Sequence, residues 1–262
     1  MKKVISVLLA MLMLLGAVTV AFAADGARAL LHVAISDKSG KLVLPNKLVL
    51  VEDKDKDGAL TVNDALYCAH EQYFEGGAAK GYGTYESQYG LSLGKLWGEE
   101  NKSSFGYYVN DNMAWNLTDT VKEGDFLYAW SYRDAEGYSD SYSFFNDKNV
   151  KAKSHETIEV TYNVCSYDEN WNPVSAPCEG AEITVDGLPT GILTGKDGKA
   201  KVVIPVSGEH VISAKAPKPA EGENEALLVP PVCRVTVDFD IWGLINYIID
   251  SIVSFVKGLF TR

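Results

Sequence analysis

Histidine, basic residues and paired cysteines are all scarce in this sequence. Its four histidines are scattered, and no nucleophile elbow or paired-carboxylate signature accompanies them, so the sequence predicts a protein that is not an enzyme. The 24 lysine and arginine residues are outnumbered by 35 aspartate and glutamate residues, and the formal net charge is −11. Because phosphate binding needs a positive field, we expect no nucleic-acid partner. A chain this acidic is compatible with divalent cations.

The four cysteines are too far apart to form any CxxC pair: Cys68, Cys165, Cys178 and Cys233. This spacing gives little support to a zinc site. Four cysteines allow three pairings, and a sequence alone cannot choose between them. We favour a single disulfide between Cys178 and Cys233, with free buried thiols as the alternative.

The N-terminus has a basic start and then a long apolar run. Lys2 and Lys3 precede the run, which closes on the small-x-small pattern Ala21-Phe22-Ala23. This pattern predicts a secretory signal peptide over residues 1–23, with an uncleaved anchor as the alternative. We therefore expect a secreted or extracellular protein, including one attached to the cell surface.

The rest of the chain divides into parts with different periodicity. Residues 24–134 combine the strand-like segments ARALLHVAISD and KLVLPNKLVLVED with helical spacing in TVNDALYCAHEQYF, which predicts an α+β domain. Residues 135–155 are polar and predict a linker. Residues 156–239 hold short strands separated by turns without a helical pattern, which predicts an all-β sandwich.

Residues 240–262 predict an amphipathic C-terminal helix with a wide apolar face. Its polar residues recur three or four positions apart and form one narrow stripe: Asn246, Asp250, Ser254 and Lys257. Its aromatic residues suit a membrane interface: Trp242, Tyr247, Phe255 and Phe260. We expect residues 241–262 to contact either a membrane surface or a protein partner, a second copy included. Asp250 near the centre argues against a full membrane span.

The segment DKDKDGALTVND, numbered from Asp53, has the ligand spacing of an EF-hand-type calcium loop. Carboxylates fall at positions 1, 3 and 5, a glycine at 6, a backbone carbonyl at 7 and a carboxylate at 12. The predicted Ca²⁺ ligands are Asp53, Asp55, Asp57, the carbonyl of Ala59, and Asp64. No histidine lies within the loop to act as a base, so we expect a structural ion. A solvated acidic turn is the alternative.

The aspartate at position 12, where most EF-hands have glutamate, resembles the dockerin variant of this loop, and the following TVNDAL is also dockerin-like. A dockerin has two such segments, whereas one is found here, so docking to a cohesin is not implied. We expect a single calcium loop between a strand and a helix, with Leu60 packed inward.

The first domain as a unit resembles the bacterial domain-of-unknown-function 4430 family, which is related to the C-terminal β domain of transcobalamin and intrinsic factor. The resemblance is carried by YYVN at 107–110, VKEGDFLYAWSY at 121–132 and the T…DAL that begins the helix. It implies a β-grasp-like fold and a corrinoid or other small ligand held at an aromatic hairpin. The residues it assigns to that ligand are Trp97, Tyr107, Tyr108, Trp115 and Trp130. Packing of these aromatics in a core is the alternative.

The second domain resembles the immunoglobulin-like or transthyretin-like modules of surface proteins. The segments that carry this resemblance are GAEITVDG (180–187), TGKDGKAKVVIP (194–205) and GEHVISAKA (208–216). Such a module implies a spacer. The whole chain is therefore predicted to be a secreted or cell-surface binding protein, and the alternative is a surface adhesion or scaffold protein that uses the sandwich and the terminal helix.

Overall fold

The computed structural model describes residues 27–170, 172–217 and 226–260, and within the last helix the side chains of 241–245, 247–249, 252 and 253. The predicted signal peptide lies outside the described residues. The side chains of the predicted polar stripe of the terminal helix, and those of Phe255 and Phe260, also lie outside the described residues. The described chain is mostly β-structure, with 48% of residues in strands and 12% in helices.

Between residues 27 and 134 the structure describes seven strands and two helices. They are β1 (Arg28–Ser36), β2 (Leu42–Glu52), α1 (Val62–Tyr73), α2 (Ala78–Gly81), β3 (Gly83–Ser87), β4 (Gly90–Lys95), β5 (Phe105–Val109), β6 (Asn112–Met113) and β7 (Phe126–Ser131). Five strands form one sheet in the order β2-β1-β7-β5-β6, and β3 pairs with β4 in a separate hairpin. The central pair β1–β7 is parallel, whereas β1–β2, β5–β6 and β5–β7 are antiparallel.

The second half contains nine strands and the terminal helix. They are β8 (Ser143–Phe145), β9 (Asn149–Lys153), β10 (Thr157–Tyr167), β11 (Pro173–Pro177), β12 (Glu182–Val185), β13 (Leu188–Leu193), β14 (Lys199–Val203), β15 (Gly208–Lys215), β16 (Val232–Asp238) and α3 (Ile241–Phe260). One sheet has the order β11-β10-β14, with β8 also paired to β10, and the other has the order β13-β12-β15-β16-β9. Alternate residues of both sheets, such as Val160 and Val235, bury into one shared core.

Helix α1 covers one face of the first sheet. Its N-terminus is closed by a capping box, in which Thr61 accepts from the Asp64 amide and the Asp64 side chain accepts from the Thr61 amide. Val62, Ala65 and Leu66 are fully buried against the sheet. The helical spacing in the sequence therefore placed this element correctly.

The same helix also closes the outer edge of β2, which is an edge strand. The Gln72 amide exchanges hydrogen bonds with the backbone of Leu50 (2.7 and 3.2 Å), and the Tyr73 hydroxyl donates to the Leu48 carbonyl at 2.8 Å. These side chains occupy backbone groups that another strand would otherwise pair with.

The opposite face of the first sheet packs against the second half through an aromatic cluster, here called the junction core. Its buried members are Ala34, Tyr108, Phe126, Tyr128, Trp130, Tyr142, Val229 and Val232. Tyr142 stacks on Tyr108 with ring centroids 4.1 Å apart. Strand β7 lies between this core and the helix side, so every one of its six residues is buried.

Polar contacts fix the same junction. The Tyr128 hydroxyl donates to the Pro230 carbonyl at 2.7 Å, and the Tyr142 hydroxyl donates to the Asp111 carboxylate at 2.8 Å. Lys148 pairs with the other oxygen of Asp111 at 2.8 Å. Asp111 belongs to the β5–β6 turn, where it and Asn110 have φ angles of 63° and 50°, the left-handed conformation that a tight hairpin turn requires.

The prediction of a linker over residues 135–155 is wrong. This segment contains β8, which pairs with β10, and β9, which runs parallel to β16. Phe145 and Ala152 bury in the core of the second half, while Asn146, Asp147 and Lys151 between them are exposed. Strands this short leave no periodic pattern, so the segment appears polar throughout.

Helix α3 begins against the end of β9. The Asp240 amide donates to the Ser154 hydroxyl at 3.0 Å, and Tyr247 stacks on His155 at a centroid distance of 4.6 Å. Beyond these contacts the helix exposes large apolar side chains: Ile241, Trp242, Ile245, Tyr247, Ile248, Ile249, Ile252 and Val253. None of the helices in the described part of the chain has the length and apolarity that a membrane crossing requires.

The junction core predicts that the two halves unfold together. Tyr142→Ala should lower the free energy of unfolding by about 3 to 5 kcal/mol, the range for truncating a large buried aromatic. Urea denaturation followed by fluorescence and circular dichroism measures this. Tyr89→Ala is the matched control because Tyr89 is 85% exposed. Two separate transitions in the parent, or equal effects of the two variants, would contradict a shared core.

Candidate functional site

The predicted calcium loop lies between β2 and α1, and three of its carboxylates converge. Ligand oxygens of Asp53, Asp55 and Asp57 lie within 4.8 Å of one another. Asp55 and Asp57 are exposed and Asp53 is half-buried, so the group opens to solvent. Three acidic oxygens around one point form the kind of hard-oxygen set that Ca²⁺ prefers.

Backbone amides hold these side chains in place. Asp53 accepts from the amides of Lys56 (2.7 Å) and Gly58 (2.9 Å), and Asp57 accepts from the amide of Ala59 (2.8 Å). Gly58 has a φ of 90°, a left-handed conformation that glycine adopts without a steric cost. The loop is therefore wound so that alternate side chains face the same side.

Asp64, predicted as the closing ligand, lies outside this converging group. It is fully buried, and one oxygen accepts from the Lys54 amide at 2.8 Å while the other accepts from the amide and hydroxyl of Thr61 at 3.0 and 2.7 Å. It thus connects the start of the loop to the start of α1. Ala59 lies half-buried on the same turn, and Leu60 packs into the first core as predicted.

The carboxylates of the loop affect one another's ionisation. Desolvation, followed by the negative charge of Asp64, raises the pKa of the Asp55 carboxyl. The charges of Asp57 and Asp53 add to this rise, whereas the hydrogen bond from the Asp57 amide opposes it. A raised carboxyl pKa means that the ionised form is destabilised by its surroundings. A cation at the centre of the three carboxylates would offset that repulsion.

The five aromatics predicted to contact a ligand do not share a surface. Tyr108 and Trp130 are buried in the junction core, where the second half covers them. Tyr107 points to the opposite side of the sheet and packs against the helix-side core. Trp97 also packs there, while Trp115 is 77% exposed. The prediction of one aromatic platform is therefore wrong, because successive residues of a strand face opposite sides of its sheet.

Gly106 shows how tightly the covered face is packed. It pairs with Trp130 across β5 and β7, and a Cβ atom on Gly106 would lie 2.2 Å from the indole ring. The indole thus lies across the backbone of Gly106, where any side chain would displace it. This close approach makes the covered face a packed core and not a binding surface.

His70 fixes the backbone of Trp97 through a hydrogen bond, a role that the sequence did not predict. Its Nδ1 lies 2.6 Å from the Leu66 carbonyl, and its Nε2 accepts from the Trp97 amide at 2.8 Å. The ring is therefore neutral, with its proton on Nδ1. Burial lowers the pKa of His70 to about 4. A histidine on the apolar face of a predicted helix was the available indication.

The four cysteines are free thiols, and the predicted disulfide between Cys178 and Cys233 is not formed. Both residues are buried in the core of the second half. Burial raises the pKa of Cys178, and it raises the pKa of Cys233 to about 12. These thiols stay protonated at neutral pH, and the thiolate is the form that oxidises.

His70 makes stability depend on pH. Its pKa falls from 6.5 in the unfolded chain to about 4 in the folded chain, so the unfolded state binds the extra proton between these values. Stability from this residue is complete above pH 6.5 and is lost as the pH falls to 4, by about 3 kcal/mol.

Urea denaturation at several pH values, compared with His70→Gln, isolates this contribution. The glutamine does not titrate, and its carbonyl oxygen can still accept from the Trp97 amide. The difference in unfolding free energy between parent and variant should shrink as the pH is lowered. Parallel curves for the two proteins would show that His70 is not held neutral.

Comparisons with known proteins give little further information. No protein-family model matches the chain, and no curated protein matches it. Among solved structures, the chain is similar to the fibronectin(III)-like modules of CbhA from Clostridium thermocellum, at 12% identity over 52% of this chain and 77% of that one. The TM-score is 0.26, which is too low to support a conclusion about fold or function.

Proposed function

We propose that this chain is an exported, non-enzymatic binding protein whose first half is a β-grasp-like domain braced by a calcium ion. The observation that carries the proposal is the convergence of Asp53, Asp55 and Asp57 on a loop with EF-hand spacing. The ion would hold the end of β2 to the start of α1.

The sheet topology supports the β-grasp-like part of the proposal. A hairpin, β1–β2, is followed by helix α1, and the last strand, β7, returns parallel to β1 in the middle of the sheet. The helix crosses the face of that sheet. This arrangement agrees with the fold that the resemblance to the transcobalamin-related family implies.

Loop geometry supports a structural and not a catalytic ion. The cation would be held by the three converging carboxylates and the carbonyl of Ala59, with Asp64 close enough to influence the charge of Asp55. Asp64 already fixes the loop to the helix cap, so an ion bound here would stiffen both segments. Ca²⁺ is the expected ion because its coordination tolerates flexible oxygen ligands.

The surroundings of the histidines support a non-enzymatic role. His32 contacts Asn46, His70 is enclosed by aromatic rings, and His155 stacks on Tyr247. His210 contacts Asp186 at 2.7 Å, but its other nitrogen contacts the Val206 carbonyl at 2.9 Å. A histidine that activates a nucleophile needs that second nitrogen next to a hydroxyl or thiol.

Calcium should stabilise the folded chain. Binding to the native state alone raises the unfolding free energy by about 2.7 kcal/mol when free calcium is at 100 times its dissociation constant. Thermal melting of the chelator-treated protein across a calcium titration measures this. Asp55→Asn together with Asp57→Asn should abolish the rise in midpoint.

A matched control removes two negative charges elsewhere. Glu86→Gln together with Glu169→Gln changes exposed residues outside the loop and should leave the calcium effect intact. If calcium leaves the midpoint of the parent unchanged, or if the control pair loses the effect as well, the loop is only a solvated acidic turn.

Corrinoid binding, which the family resemblance implies, is retained as part of the proposal but needs a surface other than the aromatic hairpin. Incubation of the purified chain with cobalamin, followed by gel filtration, tests it through visible absorbance that co-elutes with the protein. One corrinoid per chain would support a vitamin-binding role. A colourless protein peak would remove the corrinoid from the proposal and leave the calcium brace unaffected.

The second candidate is a surface scaffold protein, and the exposed apolar face of α3 favours it. Trp242 and Ile252 are 71% and 57% exposed on a helix whose N-terminus is fixed to the second half. An exposed apolar face of this extent normally binds a protein or a lipid surface. Pull-down of one protein partner that is lost when residues 241–262 are deleted would favour this role.

A further inference from the structure

A cleft of about 620 Å³ lies between the two halves, beside the junction core. One wall is the turn and first residues of β2, and the other is formed by β12, β15 and Pro230. Its volume falls within the roughly 300–1,000 Å³ typical of small-molecule sites, which often lie at domain interfaces. The molecule therefore has a cleft of ligand-binding size at a position other than the aromatic hairpin.

The walls of the cleft are largely apolar. Leu42 and Val211 line it, and both also pack against the junction core. Pro45 and Pro230 contribute rigid apolar surface. A ligand with an apolar body would release water from these walls on binding.

The free charge at the cleft is positive. Lys41 and Lys215 line it and are exposed, and neither forms a salt bridge with any residue that the structure describes. The carboxylate in the lining, Asp186, is already engaged, because one oxygen contacts His210 at 2.7 Å and the other accepts from the Val211 amide at 2.9 Å. The cleft thus offers two ammonium groups that form no ion pair among the described residues, although the net charge of the chain is −11.

We propose that this cleft binds a small amphipathic carboxylate, with its apolar body against Leu42, Pro45 and Val211 and its carboxylate at Lys41 and Lys215. The inference rests on the proposed binding function and specifies the class of ligand. Apolar burial supplies most of the affinity in such a site, and the lysines select the sign of the charge.

Calorimetric titration of the purified full chain with 2-naphthoate tests the proposal, because this probe is compact and does not form micelles. We expect one molecule per chain. The ammonium analogue 2-naphthylmethylamine should bind at least about tenfold more weakly, which corresponds to about 1.4 kcal/mol. Methyl resonances of Leu42 and Val211 should shift during the naphthoate titration.

Charge reversal identifies the site. Lys41→Glu together with Lys215→Glu should weaken naphthoate binding at least about tenfold. The control Lys196→Glu, another exposed lysine of the second half, should leave the affinity within about twofold. No heat with the parent, equal binding of the ammonium analogue, or an unchanged affinity in the double variant would each overturn the proposal.

The calcium melting experiment on the same preparation separates the two proposals. Loss of naphthoate binding with an intact calcium effect overturns the cleft alone. Naphthoate binding without any calcium effect overturns the calcium brace and leaves the cleft supported.

Discussion

The packing of Tyr142 against both Tyr108 and Trp130 is the contact on which the rest of the structure depends. It buries the part of the first sheet's other face that β5 and β7 form, so β7 has packed residues on both sides. The ion pair of Lys148 with Asp111 and the hydrogen bond from Tyr128 to Pro230 then fix the orientation of the second half. A tandem of independent modules would leave these aromatics in water.

Because this packing buries the aromatic face, a ligand or partner has to bind at another surface of the molecule. The aromatic face that the family resemblance assigns to a ligand is used for stability. What remains accessible is the acidic loop at one end of α1, the cleft beside the junction core and the apolar face of α3. Each has a different chemistry, and the first two are connected through β2, which carries the loop at one end and the cleft wall at the other.

Elements with strong local signals could be predicted from the sequence, whereas long-range pairing could not. The helical spacing of Val62, Leu66 and Ala69, the Asn110-Asp111 turn and the strands of residues 157–215 all follow local rules of periodicity and turn chemistry. The carboxylate spacing likewise identified the converging loop, although not the capping role of Asp64. Strands β8 and β9 were missed because three to five residues carry no period. Core packing of Trp130 was the alternative to a ligand site, but its own strand does not indicate which part of the chain covers it.

Closure of the β2 edge by α1 has a consequence for how the chain avoids self-association. Leu30, Leu48 and Leu50 lie on the neighbouring strands β1 and β2 and are each more than a third exposed. Gln72 and Tyr73 occupy the outward backbone groups of Leu48 and Leu50 only while the helix stays docked. A molecule in which α1 has come away presents an open, leucine-rich strand, the type of edge that seeds cross-β aggregates. Docking of α1 therefore keeps this edge closed to a strand of another molecule.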